Sequence, residues 1–242
     1  VGKNTNISWC DHTHNFWYGC VKVSEGCKFC YAERDMLRFG KEFGALTRAK
    51  NFNAPLNWHE PAFVFPCSWS DFFLDIVPLE WLDDAWNIIR RTPHLTYLIL
   101  TKRPYNIMDA LPDDWGSGWP NVWLGVTVEN DRNVWRMEDL ADIPAARRFI
   151  SYEPALGPLP PRFCFTYAPV LSWLIAGGES GPQARLPDPE WIRSARDQCQ
   201  DSGILFSFKQ WGGTRKINGV WGGDELDGQV YHQRPIVKVG GS

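Results

Sequence analysis

Six short apolar runs recur along the chain, and each ends on polar or charged side chains. They centre near residues 64, 98, 124, 149, 174 and 206, a spacing of 25 to 34 residues. That interval fits one strand plus one returning helix, the repeat of a βα unit. The runs are apolar throughout rather than alternating, as in Leu95-Thr96-Tyr97-Leu98-Ile99-Leu100. Such strands belong to a parallel sheet covered on both faces. Ile7 to Trp9 is a seventh candidate strand, followed by a polar turn over Asp11 to Asn15. Between the runs, Pro78 to Arg91 reads as an amphipathic helix, with Leu79, Leu82, Trp86 and Ile89 on one face. Further helices are expected over about 105–110, 131–140 and 189–201. The predicted fold is α/β: a partial (β/α) barrel of six or seven mostly parallel strands, favoured over a doubly wound sheet. It spans 1–242 as one domain, with an irregular insertion at about 40–61 and a Gly-rich, irregular tail at about 212–242.

The polar residues that follow the strands have a common address. Ser68 and Asp71 follow the first run, Thr101 and Lys102 the second, Glu129 the third, and Glu153 the fourth. Glu179 and Ser180 follow the fifth, and Lys209 and Gln210 the sixth. One such residue alone would be read as a helix cap or a solvated loop group. Six in succession are expected on a shared rim, because parallel strands bring all their C-terminal ends to one face, where active sites form.

A second feature supplies chemistry to that rim. Cys20, Cys27 and Cys30 fall within eleven residues, flanked by Gly19 and Gly26, and the last two form a Cys-x-x-Cys pair. Glycines let a short loop turn its thiolates toward one centre. Thiolates suit zinc and iron-sulfur clusters. Three cysteines on a cluster leave one iron open to a substrate or cosubstrate, whereas a closed zinc site wants a fourth ligand, for which His12 and His14 are the nearby candidates. A thiol redox pair at Cys27 and Cys30 is a third reading, since Tyr31 to Phe39 is expected to form a helix whose free N–H groups lie beside Cys30.

The remaining composition narrows the class. Seven cysteines, an odd number clustered at one end, do not make an extracellular disulfide framework, and a reducing cytoplasm is expected. Lys plus Arg is 25 and Asp plus Glu is 28, for a formal charge of −3. No global basic signal points to a polyanion. No apolar run reaches the length of a membrane span, and no secretory leader is visible. Fourteen tryptophans serve packing or an aromatic pocket able to stack on a ring.

The cysteine stretch resembles the radical S-adenosylmethionine (SAM) superfamily, whose signature is Cys-x3-Cys-x2-Cys with an aromatic residue just before the last cysteine. Cys27-Lys28-Phe29-Cys30 matches the second half, Phe29 included; the first gap encloses six residues, Val21 to Gly26. Trp9-Cys10-Asp11-His12-Thr13, Leu100-Thr101-Lys102-Arg103-Pro104, Gly125-Val126-Thr127-Val128-Glu129, Ser151-Tyr152-Glu153-Pro154, Gly177-Gly178-Glu179-Ser180-Gly181 and Phe208-Lys209-Gln210-Trp211-Gly212 are similar to a phage-associated radical-SAM-like family of uncharacterised function. The resemblance covers nearly the whole chain. It implies a radical-SAM-type partial barrel in which Cys20, Cys27 and Cys30 ligate a [4Fe-4S] cluster and SAM chelates the open iron. Reductive cleavage of SAM would then yield a radical that abstracts hydrogen from a substrate. By position, Phe29, Ser68, Asp71, Glu129 and Glu153 are the expected cofactor contacts, and Lys102, Glu129, Glu153 and Glu179 the expected catalytic residues. The implied partners are an electron donor such as flavodoxin or ferredoxin and a small-molecule or nucleic-acid substrate, with a nucleoside, nucleotide or nucleic acid the leading class. The alternative is a zinc-binding structural or nucleic-acid-binding protein.

Overall fold

The computed structural model describes residues 2–236. Its centre is an eight-stranded sheet in which seven neighbouring strands run parallel. In spatial order these are His12–His14, Ala62–Pro66, Leu95–Thr101, Val122–Thr127, Arg147–Tyr152, Leu171–Gly177 and Leu205–Gln210. Spatial order follows chain order, so the sheet is wound in one direction and curls into a partial (β/α) barrel. Gly2–Lys3 adds an antiparallel edge strand beside His12–His14.

Alternation along each strand divides the core in two. Phe63, Phe65, Leu98, Trp123, Phe149, Trp173 and Ile175 turn to the concave side and pack around Trp9. Val64, Tyr97, Ile99, Leu124, Val126, Ile150 and Leu174 turn outward, into the cluster that holds the helices. Gly125 shows how tight the concave side is: a Cβ there would overlap the Phe149 ring.

The covering helices are α1 (Tyr31–Arg38), α2 (Leu79–Arg91), α3 (Ile107–Ala110), α4 (Trp135–Asp142), α5 (Phe163–Tyr167) and α6 (Pro189–Ser202). Leu82, Trp86 and Ile89 of α2 are buried as its periodicity requires, whereas Leu79, expected on the same face, opens the helix exposed to solvent. Helix α6 begins with Asp188 accepting a hydrogen bond from Glu190 N at 2.9 Å and ends on Gly203 at φ 69°. Among the described residues no helix is long and apolar enough to cross a membrane.

Three expectations need correction. Ile7 to Trp9 is not a strand: the chain turns there, with Cys10 N donating to Ile7 O at 3.3 Å, and Trp9 is left free to fill the barrel. The strand comes after it, at His12–His14, where a polar turn was expected. Those polar residues can sit in the sheet because His14 Nε2 is satisfied by Phe52 O at 3.1 Å. The insertion is partly ordered, since Thr47–Arg48 pairs with Trp17–Tyr18 and Ala54–Asn57 forms a 3-10 turn. The tail carries two short hairpins, Lys216–Ile217 with Val220–Trp221 and Glu225–Leu226 with Gln229–Val230; its last part, from 237 onward, lies outside the described residues.

Candidate active site

The strand ends and the cysteine loop meet over one cleft. Cys20, Cys27 and Cys30 line it with Ser68, Asp71, Lys102, Glu153 and Lys209, around about 830 Å³ of space including the mouth. A second lobe, of about 560 Å³, shares Cys30, Tyr31, Lys102, Glu153 and Lys209 and adds Phe29, Glu179 and Ser180. Of the residues expected at the site, Glu129 alone lies outside both lobes; it stands behind the cysteine loop.

The loop is held from behind. Ser24 Oγ donates to Glu129 Oε1 at 2.5 Å, and Arg136 Nη1 meets Glu129 Oε2 at 2.7 Å, with both charged partners buried. Gly26 lies against this pair so closely that a Cβ would overlap the Glu129 carboxylate. Glu129 is therefore a support for the loop, its oxygens already engaged, rather than a free ligand for SAM or substrate.

Glu179 plays a comparable part from the other side. Its carboxylate takes hydrogen bonds from Arg185 Nε at 2.9 Å and Arg185 Nη2 at 2.5 Å. Arg185 Nη2 also donates to Glu25 O at 2.8 Å, and its guanidinium stacks 5.1 Å from the Phe29 ring. Arg34 of α1 adds a bond to Ser180 O at 2.9 Å. Arg185 and Arg34 thus tie the cysteine loop and its helix to the end of the Leu171–Gly177 strand.

Asp71 is a buried hub. It accepts from Thr101 Oγ1 at 2.6 Å, Phe73 N at 3.0 Å, Lys102 N at 3.1 Å and Arg103 Nη1 at 3.2 Å. Arg103 in turn donates to Val21 O at 2.7 Å, so one carboxylate fixes two strand ends and the loop. Ser68 is tied locally: its hydroxyl accepts from Asn15 Nδ2 at 3.3 Å and its carbonyl from Tyr31 Oη at 2.6 Å.

Two side chains keep chemistry to spare. Lys102 is one: burial alone would lower its pKa, but Cys27, Glu129 and Cys30 outweigh this and raise it. Burial would likewise raise Cys27, yet Lys102 and hydrogen bonds from Val23 and Ser24 bring its pKa below the usual thiol value. The Lys102 ammonium therefore favours the thiolate form of Cys27. Cys20 differs: burial first, then Asp71, push it up to about 12. Glu153 is the other. Its Oε1 lies 3.1 Å from Lys209 Nζ in an ion pair but is buried without a hydrogen bond.

Neither His12 nor His14 reaches the cleft. His14 packs edge-on against Phe16, with ring centroids 4.6 Å apart, and burial lowers its pKa to about 4. Among the described residues no three His, Cys, Asp or Glu side chains come close enough to hold a single metal ion. The three cysteines line the same cleft, and α1 starts at Cys30 with no side chain capping its free N–H groups, whose partial positive charge favours thiolate.

Reading the sequence did not find Arg103, Arg136 or Arg185 as parts of this site. The first sits in the quoted Thr-Lys-Arg-Pro stretch; the other two carry no local signal, because their partners are chosen by the closing of the barrel.

A family model matches residues 4–235. The chain belongs to the family described as "Protein of unknown function (DUF5131)". Searches of curated proteins and of solved structures returned no match.

Proposed function

We propose that this chain is a radical SAM enzyme whose [4Fe-4S] cluster is held by Cys20, Cys27 and Cys30. The observation that carries the proposal is the meeting of three cysteines with the strand-end residues Lys102, Glu153 and Lys209 in one cleft at the C-terminal rim of a parallel sheet. When bound, the cluster and SAM supply a reductively generated carbon radical able to take hydrogen from an unreactive carbon.

The chain's own residues do the rest. Lys102 favours the thiolate form of Cys27 and offsets negative charge where the loop meets the sheet. Asp71 and Arg103 fix the rim, and Glu129 with Arg136 fixes the loop from behind. Lys209 and Glu153 stand on the wall between the lobes, available to a bound molecule. Tyr31, whose hydroxyl is pushed far above the ordinary phenol value by burial, stays neutral and closes the floor under Ser68.

The alternative, a zinc-binding structural or nucleic-acid-binding protein, makes an opposite prediction about metal. Anaerobic reconstitution with iron and sulfide should give a brown protein with about four irons per chain. A colourless protein that takes one zinc per chain and no iron would replace this reading with the alternative.

A further inference from the structure

A groove opens between the segment that follows Asp71, the start of α2 and helix α3. It holds about 670 Å³ of space, including its open side. Phe72, Phe73, Leu74 and Leu82 form its buried lining, whereas Leu79 at its edge is 73 % exposed. Ile76 and Met108 are next in the chain to the groove residues Asp75 and Asp109, and they are exposed too, at 52 % and 57 %. Large apolar side chains gathered in water beside a groove mark a surface that another chain covers. The surroundings carry one sign of charge. No Lys or Arg occurs within 51–89 or 104–131, the two stretches that build the groove. Asp75 and Asp109 line it, and Glu80 and Asp83 follow Leu79 on α2. All four are exposed. Arg48 takes the neighbouring Asp84 at 2.6 Å and Arg103 Nε lies 4.0 Å from Asp75, but Glu80, Asp83 and Asp109 have no ion pair among the described residues.

We propose that this groove docks a basic amphipathic helix of a partner protein. Apolar side chains of that helix pack on Leu79 and the groove lining, and its Lys or Arg side chains face Asp75, Asp83 and Asp109. A helix fits better than an added strand. The strands that lead to the groove, Ala62–Pro66 and Leu95–Thr101, are paired on both sides, so no open edge offers main-chain hydrogen bonds and side chains must carry the contact. The acidic border also rejects nucleic acid at this face, since a polyanion needs its phosphates neutralised. The docked helix sits behind the rim without entering the cleft. It is nonetheless coupled to it, because Phe73 N donates to Asp71 at 3.0 Å and Arg103 reaches both Asp71 and Asp75, at 3.2 and 4.0 Å. The proposal holds whichever metal the cysteines take.

The test uses the full chain and two synthetic peptides of about 18 residues, long enough to hold a helix. One carries Leu on one face and Lys on the other; its twin carries Glu in place of Lys. Each is titrated into isotope-labelled wild type and followed by backbone amide NMR, and affinities are measured for wild type, Leu79→Lys and Asp109→Lys. The Lys peptide should bind, shift amides of 72–82 and 106–110, and bind more weakly as salt is raised. The Glu peptide should not bind. Each substitution should weaken the Lys peptide about tenfold and leave the melting temperature unchanged, because both side chains are exposed. The shift map is read in the wild type and does not depend on either variant folding. The proposal is overturned if the Lys peptide does not bind, if its shifts fall elsewhere on the surface, or if both variants bind it as wild type does. It is equally overturned if sedimentation shows that the chain alone forms a dimer which Leu79→Lys dissociates, since a second copy then covers the groove. None of these outcomes bears on the cluster, which is read separately from iron content.

Discussion

Cys27 and Cys20 should behave as different thiols although they line one cleft. In iron-free protein at about pH 8, iodoacetamide should modify Cys27 well before Cys20, because Lys102 lowers one pKa while burial and Asp71 lift the other to about 12. Lys102→Met should move the alkylation profile of Cys27 to higher pH; equal rates at both cysteines, or no shift in the variant, would contradict the pairing. His14 gives a pH prediction for the fold. Its pKa falls from 6.5 to about 4 on burial, so the folded chain binds fewer protons than the unfolded one between those values. Stability is therefore full above about pH 6.5 and declines as pH drops toward 4, by up to about 3 kcal/mol. Denaturant unfolding of His14→Gln should show a flatter decline over that window. At this scale the thiols were legible from spacing alone, and Lys102 from its place after a strand. The roles of Glu129 and Glu179 were not, because a carboxylate looks the same in sequence whether it faces a ligand or an arginine brought in by the fold.

Elements decide where those residues end up. The six apolar runs each became a parallel strand, but Ile7 to Trp9 was assigned to the sheet in place of His12–His14. Hydrophobicity misled there because Trp9 is apolar for the sake of the barrel interior, whereas His14 is paid back by Phe52 O, a contact 38 residues away. The cysteine loop shows the same dependence on distant partners. Gly26→Ala should force the loop off Glu129, costing about 1–3 kcal/mol as overpacking does, read as a lower denaturation midpoint. Arg185→Ala should release the other side: amides of the 20–30 loop should exchange faster with solvent, while those of the Leu171–Gly177 strand should not change. Uniform protection in that variant would mean the Arg185 contacts with Glu25 and Phe29 hold nothing.

The whole molecule is a one-way sheet that collects its strand ends at a single rim and hangs a three-cysteine loop over them. The spacing of apolar runs made that architecture readable, since each βα unit is a local pattern repeated. The hairpins of the tail were not readable, because each has strands of only two residues and so no periodicity. Function at this scale rests on whether the rim and the loop act together on SAM. The decisive measurement is anaerobic: reconstituted protein is given SAM and a strong one-electron reductant, and 5′-deoxyadenosine is quantified against Cys27→Ala and a sample without iron. The account predicts 5′-deoxyadenosine from the wild type and none from either control. Absence of the product from protein that carries a full complement of iron, or equal product from Cys27→Ala, would contradict it.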